Sequence, residues 1–159
     1  MAQDFKTPIT VNGVPVSMQG HQHDFDTFPV LCAKVGKSAT QNYAANTTTK
    51  VTWNVSRFNN GLTADLANSR ITVPPTISGV GIFDIRANID LSGTSTMYIY
   101  VYVNGVLEDT PYYISTALNQ HWVSTMLQLT PDDYVEIYIR GGTARTINTM
   151  SSFSIRQVA

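Results

Sequence analysis

The sequence has little charge, and the charge that it has is balanced. Asp, Glu, Lys and Arg make up 13% of its 159 residues, whereas a soluble domain usually has about 25%. There are 10 Lys and Arg residues against 11 Asp and Glu residues, so the chain lacks both a basic field and an acidic tail. A phosphate backbone would need such a basic field. We therefore predict no nucleic-acid partner.

Cysteine and long apolar runs are also scarce. The one cysteine, Cys32, excludes an intrachain disulfide framework, and its apolar neighbours predict a small buried side chain. No run approaches the ~18 apolar residues of a membrane-spanning helix. Residues 1–6 lack the apolar segment of a secretion signal. We expect neither membrane insertion nor secretion by that route.

What the chain does have is a succession of short alternating strands separated by turn residues. Met97 to Val103 alternates strictly and ends in Asn104-Gly105, a hairpin turn signal. Val51, Trp53 and Val55 also alternate with polar residues, which predicts another strand. Helix has little support, since only residues 62–67 suggest a loop with a helical turn. The sequence therefore predicts an all-β, antiparallel β-sandwich or barrel.

One side of the best alternating strand is unusual because it consists of tyrosines. Tyr98, Tyr100 and Tyr102 share a face, and Tyr134 and Tyr138 share a face on a later strand. Tyrosine rings bury apolar area while keeping a hydroxyl in water, so they are favoured at interfaces. Three interpretations remain open for this face: a contact between subunits, a saccharide-binding ligand surface, or ordinary cross-strand packing. Subunit contact is the leading one.

Residues 1–28 differ from the rest and predict an N-terminal attachment arm, with residues 29–159 as the head domain. Asn12-Gly13 is a hairpin turn signal inside the arm. The apolar side chains that flank it are the expected attachment residues: Ile9, Val11, Val14 and Val16.

The order of motifs from Val30 to Val158 resembles the jelly-roll head shared by tumour necrosis factor (TNF) and the globular head of the first complement component. The matching motifs are Asn60-Gly61, Pro75, Gly81-Ile82-Phe83-Asp84-Ile85, Val103-Asn104-Gly105, Leu129-Thr130-Pro131-Asp132-Asp133-Tyr134-Val135 and Ser152-Phe153-Ser154. The resemblance implies a TNF-like jelly roll. It also implies a homotrimer, because members of that family assemble about a three-fold axis, usually through aromatic side chains.

The arm supplies a second resemblance. Ile9 to Val16, leading into Gly20-His21-Gln22-His23, is similar to segments that precede receptor-binding tips in tail fibres of bacteriophages. The implied protein is a viral structural protein on the virion surface, assembled in the host cytoplasm. Its arm would bind another virion protein, and its head would act as a fibre knob or surface decoration in host attachment, with a host-cell glycan as a partner. Two alternatives remain: a capsid decoration protein that only stabilises the shell, and a free complement-like ligand-binding head.

His21 and His23 are two residues apart, so in an extended arm both imidazoles face the same side. In a parallel trimer, six such rings would surround the axis and offer an octahedral site for iron, nickel or zinc. The alternative is two solvated histidines. No firm cofactor is predicted beyond this.

Catalytic patterns are weak. Asp132 and Asp133 are adjacent in a turn, where carboxylates commonly accept backbone hydrogen bonds. His121 has no nucleophile motif beside it. We predict that the protein is not an enzyme.

Overall fold

A computed structural model describes residues 10–11, 14–15, 30–77, 79–108 and 112–158, with side chains described for 30–77, 79–108 and 118–158. Every regular element in those ranges is a β-strand, and every pair of strands is antiparallel. The all-β prediction is therefore confirmed. The strands are β1 Thr10–Val11, β2 Val14–Pro15, β3 Cys32–Gly36, β4 Gln41–Tyr43, β5 Thr49–Lys50, β6 Val55–Asn60, β7 Thr63–Asp65, β8 Arg70–Thr72, β9 Gly81–Val103, β10 Val106–Leu107, β11 Tyr112–Leu129, β12 Tyr134–Gly141, β13 Arg145–Ile147 and β14 Ser152–Gln157.

Strands β1 and β2 form a separate two-stranded sheet. Val11 pairs with Val14, so the strand pairing brackets the predicted Asn12-Gly13 turn. This confirms the hairpin pairing. Ile9 and Val16 lie outside the described residues, and the division into arm and head stays a prediction.

The other strands form one hydrogen-bonded network that β9 divides into two sheets. In sheet I, the order is β6, β3, β14, residues 81–90 of β9, and residues 120–129 of β11. In sheet II, residues 97–103 of β9 pair with β12, which also pairs with β5 and β8. On its other side this part of β9 pairs with β10 and with residues 112–114 of β11.

Alternate residues of both sheets point into a shared apolar core. In sheet I, the aligned inward residues include Val35, Phe153, Ala87 and Val123. Sheet II contributes paired residues such as Ile99 and Ile139. The remaining large buried side chains include Trp53, Phe83, Ile85, Ile89, Met97 and Ile137. Trp53 packs against Phe153 with 6.0 Å between ring centroids.

The turn after the tyrosine strand has the predicted geometry. Asn104 and Gly105 both have positive φ, 53° and 77°, and Val103 pairs with Val106 across the two-residue loop. Positive φ at both central positions is the requirement of a type I′ hairpin turn. Asn and Gly tolerate that conformation better than other residues, which is why this local prediction is confirmed.

The prediction of a strand through Val51, Trp53 and Val55 is wrong for residues 51–54, which have no partner strand. The expected burial of Val51 and Trp53 is confirmed. Residues 51–54 belong to no strand, and β6 begins only at Val55. Val51 N donates to Ile137 O in sheet II, whereas Asn54 N donates to Gly36 O in sheet I. The segment crosses between the sheets, so its alternating core residues find no continuous partner strand.

The predicted helical turn at residues 62–67 is also wrong. Thr63–Asp65 forms β7, which pairs with β8, and residues 66–69 form a tight turn between the two strands. Strand pairing thus overrides weak local helix propensity.

Cys32 is half-buried, whereas the sequence predicted a buried side chain. It belongs to the outward row of β3, because its neighbour Ala33 fills the inward position. In the described part of the chain, no helix is long and apolar enough to cross a membrane.

Candidate functional site

The predicted tyrosine face is the outer face of sheet II. Register places Tyr98 opposite Arg140, Tyr100 opposite Tyr138, and Tyr102 opposite Glu136. The structure therefore brings Tyr98, Tyr100, Tyr102, Tyr134 and Tyr138 together on one surface, all of them half-buried. We call this surface the tyrosine face.

That half-burial comes from contacts within the chain. Tyr98 stacks on Tyr100 with 6.1 Å between ring centroids, and the Tyr102 and Tyr138 centroids are 4.5 Å apart. Arg70 lies over the ring of Tyr134, with 4.2 Å from its Cζ to the centroid. Cross-strand packing thus accounts for part of the row, and such pairs contribute about 0.2–1 kcal/mol each.

A partly buried ion pair between Lys50 and Glu136 lies at the middle of the tyrosine face. Glu136 is only 6% exposed although it points outward, because Tyr102 and Tyr138 cover it. Its Oε1 is 2.5 Å from Lys50 Nζ, and Tyr138 Oη donates to its Oε2 at 3.4 Å. Burial and the negative charge of Glu136 raise the pKa of Tyr138. The centre of the face is therefore internally satisfied.

The Tyr98 end of the face is different, because it opens into a small cleft. The cleft has a volume of about 270 Å³ and is lined by Asn46, Thr96, Tyr98, Arg140, Gly141 and Gly142. Arg140 is exposed and forms no hydrogen bond or ion pair with any residue that the structure describes. A free guanidinium beside an aromatic ring is a recognition arrangement.

Two glycines fix the shape of this cleft. A Cβ on Gly141 would lie 2.6 Å from the Tyr43 ring, and one on Gly142 would lie 2.8 Å from Thr96 Oγ1. Backbone hydrogen bonds join the walls: Asn46 N donates to Gly141 O at 2.8 Å, and Gly142 N donates to Thr96 O at 3.1 Å. The cleft is therefore built by close backbone approach.

The outer face of sheet I carries a second surface. Trp122 and Met126 project outward from β11 and are 58% and 69% exposed, and Ile82 on β9 is 43% exposed. Register aligns polar outward residues beside them: Lys34, Asp84, Arg86, Asn88, Ser124, Ser152, Ser154 and Arg156. We call this surface the contact face.

The contact face includes the edge of sheet I. Within the described strands, residues 120–129 of β11 pair with β9 and with no other strand. A long edge strand with exposed apolar side chains favours association with another surface. The sequence analysis missed this surface, although the alternation that puts Val123 in the core also puts Trp122 outward.

At the other end of the tyrosine face, the polar side chains of Asn104 and Asp133 bond to neighbouring groups of the chain. Asn104 Nδ2 donates to Asp133 Oδ1 at 2.6 Å, and Asn104 Oδ1 accepts from Tyr134 N. Asp133 Oδ2 also accepts from Thr130 N and Oγ1. These hydrogen bonds lower the pKa of Asp133 although burial acts in the opposite direction. Asp133 therefore stabilises the turn, as predicted for this carboxylate.

Two buried titratable side chains, Lys37 and His121, are hydrogen-bonded inside the fold. Lys37 Nζ donates to Thr52 O, Thr52 Oγ1 and Gln41 Oε1, and burial lowers its pKa. His121 is fully buried, and its Nε2 donates to Leu118 O at 2.9 Å. Neither group is reachable by a substrate.

The metal prediction falls outside the structure, since His21 and His23 are not among the described residues. Among the residues that are described, no group of three or more His, Cys, Asp or Glu side chains could hold a metal ion.

Comparison with known proteins identifies the architecture. Murine APRIL at pH 8.5 superimposes with a TM-score of 0.56 and 14% identity, covering 81% of this chain and 99% of that one. Eiger TNF from S. frugiperda gives a TM-score of 0.53 at 11% identity, covering 82% and 94%. The fold is a TNF-like jelly roll. At this level of identity the TNF-like similarity extends to the fold alone. No protein-family model and no curated protein sequence matches the chain.

Proposed function

We propose that the chain is a non-enzymatic structural protein of a bacteriophage virion, in which a homotrimeric TNF-like head is held on the particle by residues 1–28 and contacts the host surface. The fold supports the head, and the fibre-like segment from Ile9 to His23 supports the attachment arm. The observation that carries the proposal is the contact face, where Trp122 and Met126 are exposed on one side of an edge strand.

The composition of the contact face suits a subunit interface. Aromatic residues, Met and Arg are enriched in the buried centres of protein interfaces. This face combines Trp122, Met126 and Ile82 with the Arg86 guanidinium, which lies 2.8 Å from Asp84 Oδ2. In a trimer with sheet I facing the three-fold axis, each chain would bury these side chains against its neighbours.

That arrangement leaves the tyrosine face directed away from the axis. Tyr98, Tyr100, Tyr102, Tyr134 and Tyr138 would then serve as the ligand surface, which was the second interpretation of the row. Their mutual packing holds the rings in fixed positions without a neighbouring subunit. The expected ligand is a host-cell glycan, since sugars stack on ordered aromatic rings.

The assembly is tested by light scattering of the full chain at micromolar concentration. We expect a trimeric mass for the native protein and for Tyr100→Ser. Trp122→Ser and Met126→Ser should each weaken assembly by about tenfold or more, because exposed apolar anchors near the centre of an interface dominate its affinity.

A monomeric native protein would overturn the trimer. A trimer that survives Trp122→Ser but is lost in Tyr100→Ser would move the subunit contact to the tyrosine face, as the sequence first suggested. Imaging virions that carry a labelled copy distinguishes a fibre knob from a capsid decoration.

A further inference from the structure

We propose that the cleft beside Tyr98 binds a carboxylate-bearing sugar residue, with the Arg140 guanidinium on the carboxylate. This inference rests on the proposed adhesive function and names the class of glycan. It concerns the end of sheet II that Asn46, Thr96 and residues 140–142 bring together.

The charge in the cleft selects an anion. Arg140 is exposed and has no acidic partner among the described residues. Two other cations of sheet II are already paired: Lys50 with Glu136 and Arg70 with Asp65. A guanidinium presents a planar fork of donors that matches the two oxygens of a carboxylate.

The other walls suit a sugar better than a bare anion. The Tyr98 ring lines the cleft and continues into the stack with Tyr100, which provides an aromatic surface for the C–H face of a pyranose. The side chains of Asn46 and Thr96 offer amide and hydroxyl groups for sugar hydroxyls. A ligand that uses all these walls carries a carboxylate at one end and hydroxyls and an apolar face at the other.

The cleft is also held in place before a ligand arrives. Hydrogen bonds from Asn46 N to Gly141 O and from Gly142 N to Thr96 O connect three separate segments of the chain. Asn46 adopts a positive φ of 57°, which directs its loop against β12. Preorganised walls reduce the entropy lost on binding.

The cleft lies on sheet II, on the opposite side of the sandwich from the contact face. Assembly through sheet I would therefore leave one cleft open on each subunit. The three clefts of one trimer could then bind a multivalent glycan surface together, which raises the avidity above the affinity of a single cleft.

The experiment titrates the full chain with three soluble probes by NMR chemical-shift mapping: sialyllactose, trigalacturonate and lactose. At least one of the two carboxylated probes should shift the signals of Arg140, Gly141 and Gly142, whereas lactose at the same concentration should bind about tenfold more weakly or not at all. Sodium acetate in place of the probes tests for a simple anion site.

Three variants locate the interaction. Arg140→Gln should weaken carboxylated-sugar binding by tenfold or more, and Arg140→Lys should recover part of it because charge remains without the fork. Arg57→Gln, an exposed arginine on sheet I with the same change in charge, should bind as the native chain does. Light scattering of each sample reports the assembly separately.

The inference is overturned if acetate or lactose matches the carboxylated sugars, if Arg140→Gln binds them unchanged, or if neither of them binds at about 10 mM. Neutral-sugar binding with an intact trimer would refute the acidic specificity and leave the adhesive function standing. A monomeric mass with intact sugar binding would refute the trimer and leave the cleft standing.

Discussion

His121 is a buried histidine with one unmatched nitrogen. Its Nε2 donates to Leu118 O, while Nδ1 has no partner within the described structure. Protonation of Nδ1 would place a positive charge in the core, so burial lowers the pKa of His121 below its usual 6.5. The neutral form is therefore the one that the fold accommodates.

This makes stability depend on pH between neutrality and mild acid. Below pH 6.5 the unfolded chain takes up the proton before the folded chain does, so stability falls as the pH drops towards the folded-state pKa. We expect the free energy of unfolding to fall more between about pH 8 and pH 5 in the native chain than in His121→Phe. Urea denaturation at both pH values measures this.

Because the native chain and the variant differ only at position 121, the comparison isolates His121. Parallel pH profiles for the native chain and the variant would show that His121 contributes nothing. If His121→Phe does not fold, His121→Gln serves instead, because glutamine is polar but does not titrate.

At the scale of elements, Asn104 connects two turns, only the first of which joins paired strands. Its positive φ forms the turn between β9 and β10, and its side chain bonds to Asp133 and to Tyr134 N at the turn between β11 and β12. Asn104 thus adopts the positive φ that the first turn requires, and its side chain forms two hydrogen bonds with the second turn.

The two contributions can be separated by substitution. Asn104→Gly keeps the positive φ but loses the hydrogen bonds, and should cost about 1–2 kcal/mol. Asn104→Ala loses both and should cost about 1 kcal/mol more, because a Cβ disfavours the left-handed region. Urea unfolding of the three proteins gives the values. Equal stability of the two variants would show that the conformation at Asn104 contributes no strain.

Local patterns predicted the elements that local chemistry controls. The alternation from Met97 to Val103 and the Asn104-Gly105 turn were correct because side-chain period and positive φ are properties of a few adjacent residues. Residues 51–54 could not be assigned, since their partners lie in two different sheets. The helical turn at residues 62–67 was wrong for another reason, because pairing of β7 with β8 overrides a weak local helix propensity.

The functional surfaces show the same division. The alternation in the sequence correctly predicted that Tyr98, Tyr100 and Tyr102 share one strand face and that Tyr134 and Tyr138 share another. That these two strands are neighbours in one sheet is seen only in the structure. The cleft could not be predicted, because Asn46, Thr96 and Arg140 meet only after three distant segments fold. The role of His21 and His23 stays a prediction.

At the scale of the whole molecule, the proposed trimer gives the arm histidines a common axis. If three arms run parallel, we expect elemental analysis of the purified trimer to find bound iron, nickel or zinc that is absent from the His21→Ala/His23→Ala double variant, since imidazole suits these metals. Equal metal content in the two proteins would contradict the axial site. Light scattering of the double variant controls for loss of assembly.

Strand β9 runs from Gly81 to Val103 without a break and belongs to both sheets. In sheet I it is bonded to β14 and β11, and in sheet II to β12 and β10. A mechanical load applied to one sheet therefore reaches the other along covalent backbone, without depending on the apolar core between them. Pulling the sheets apart would require shearing many ladder bonds at once, so a head built on this strand should resist tension up to a threshold and then fail as a unit.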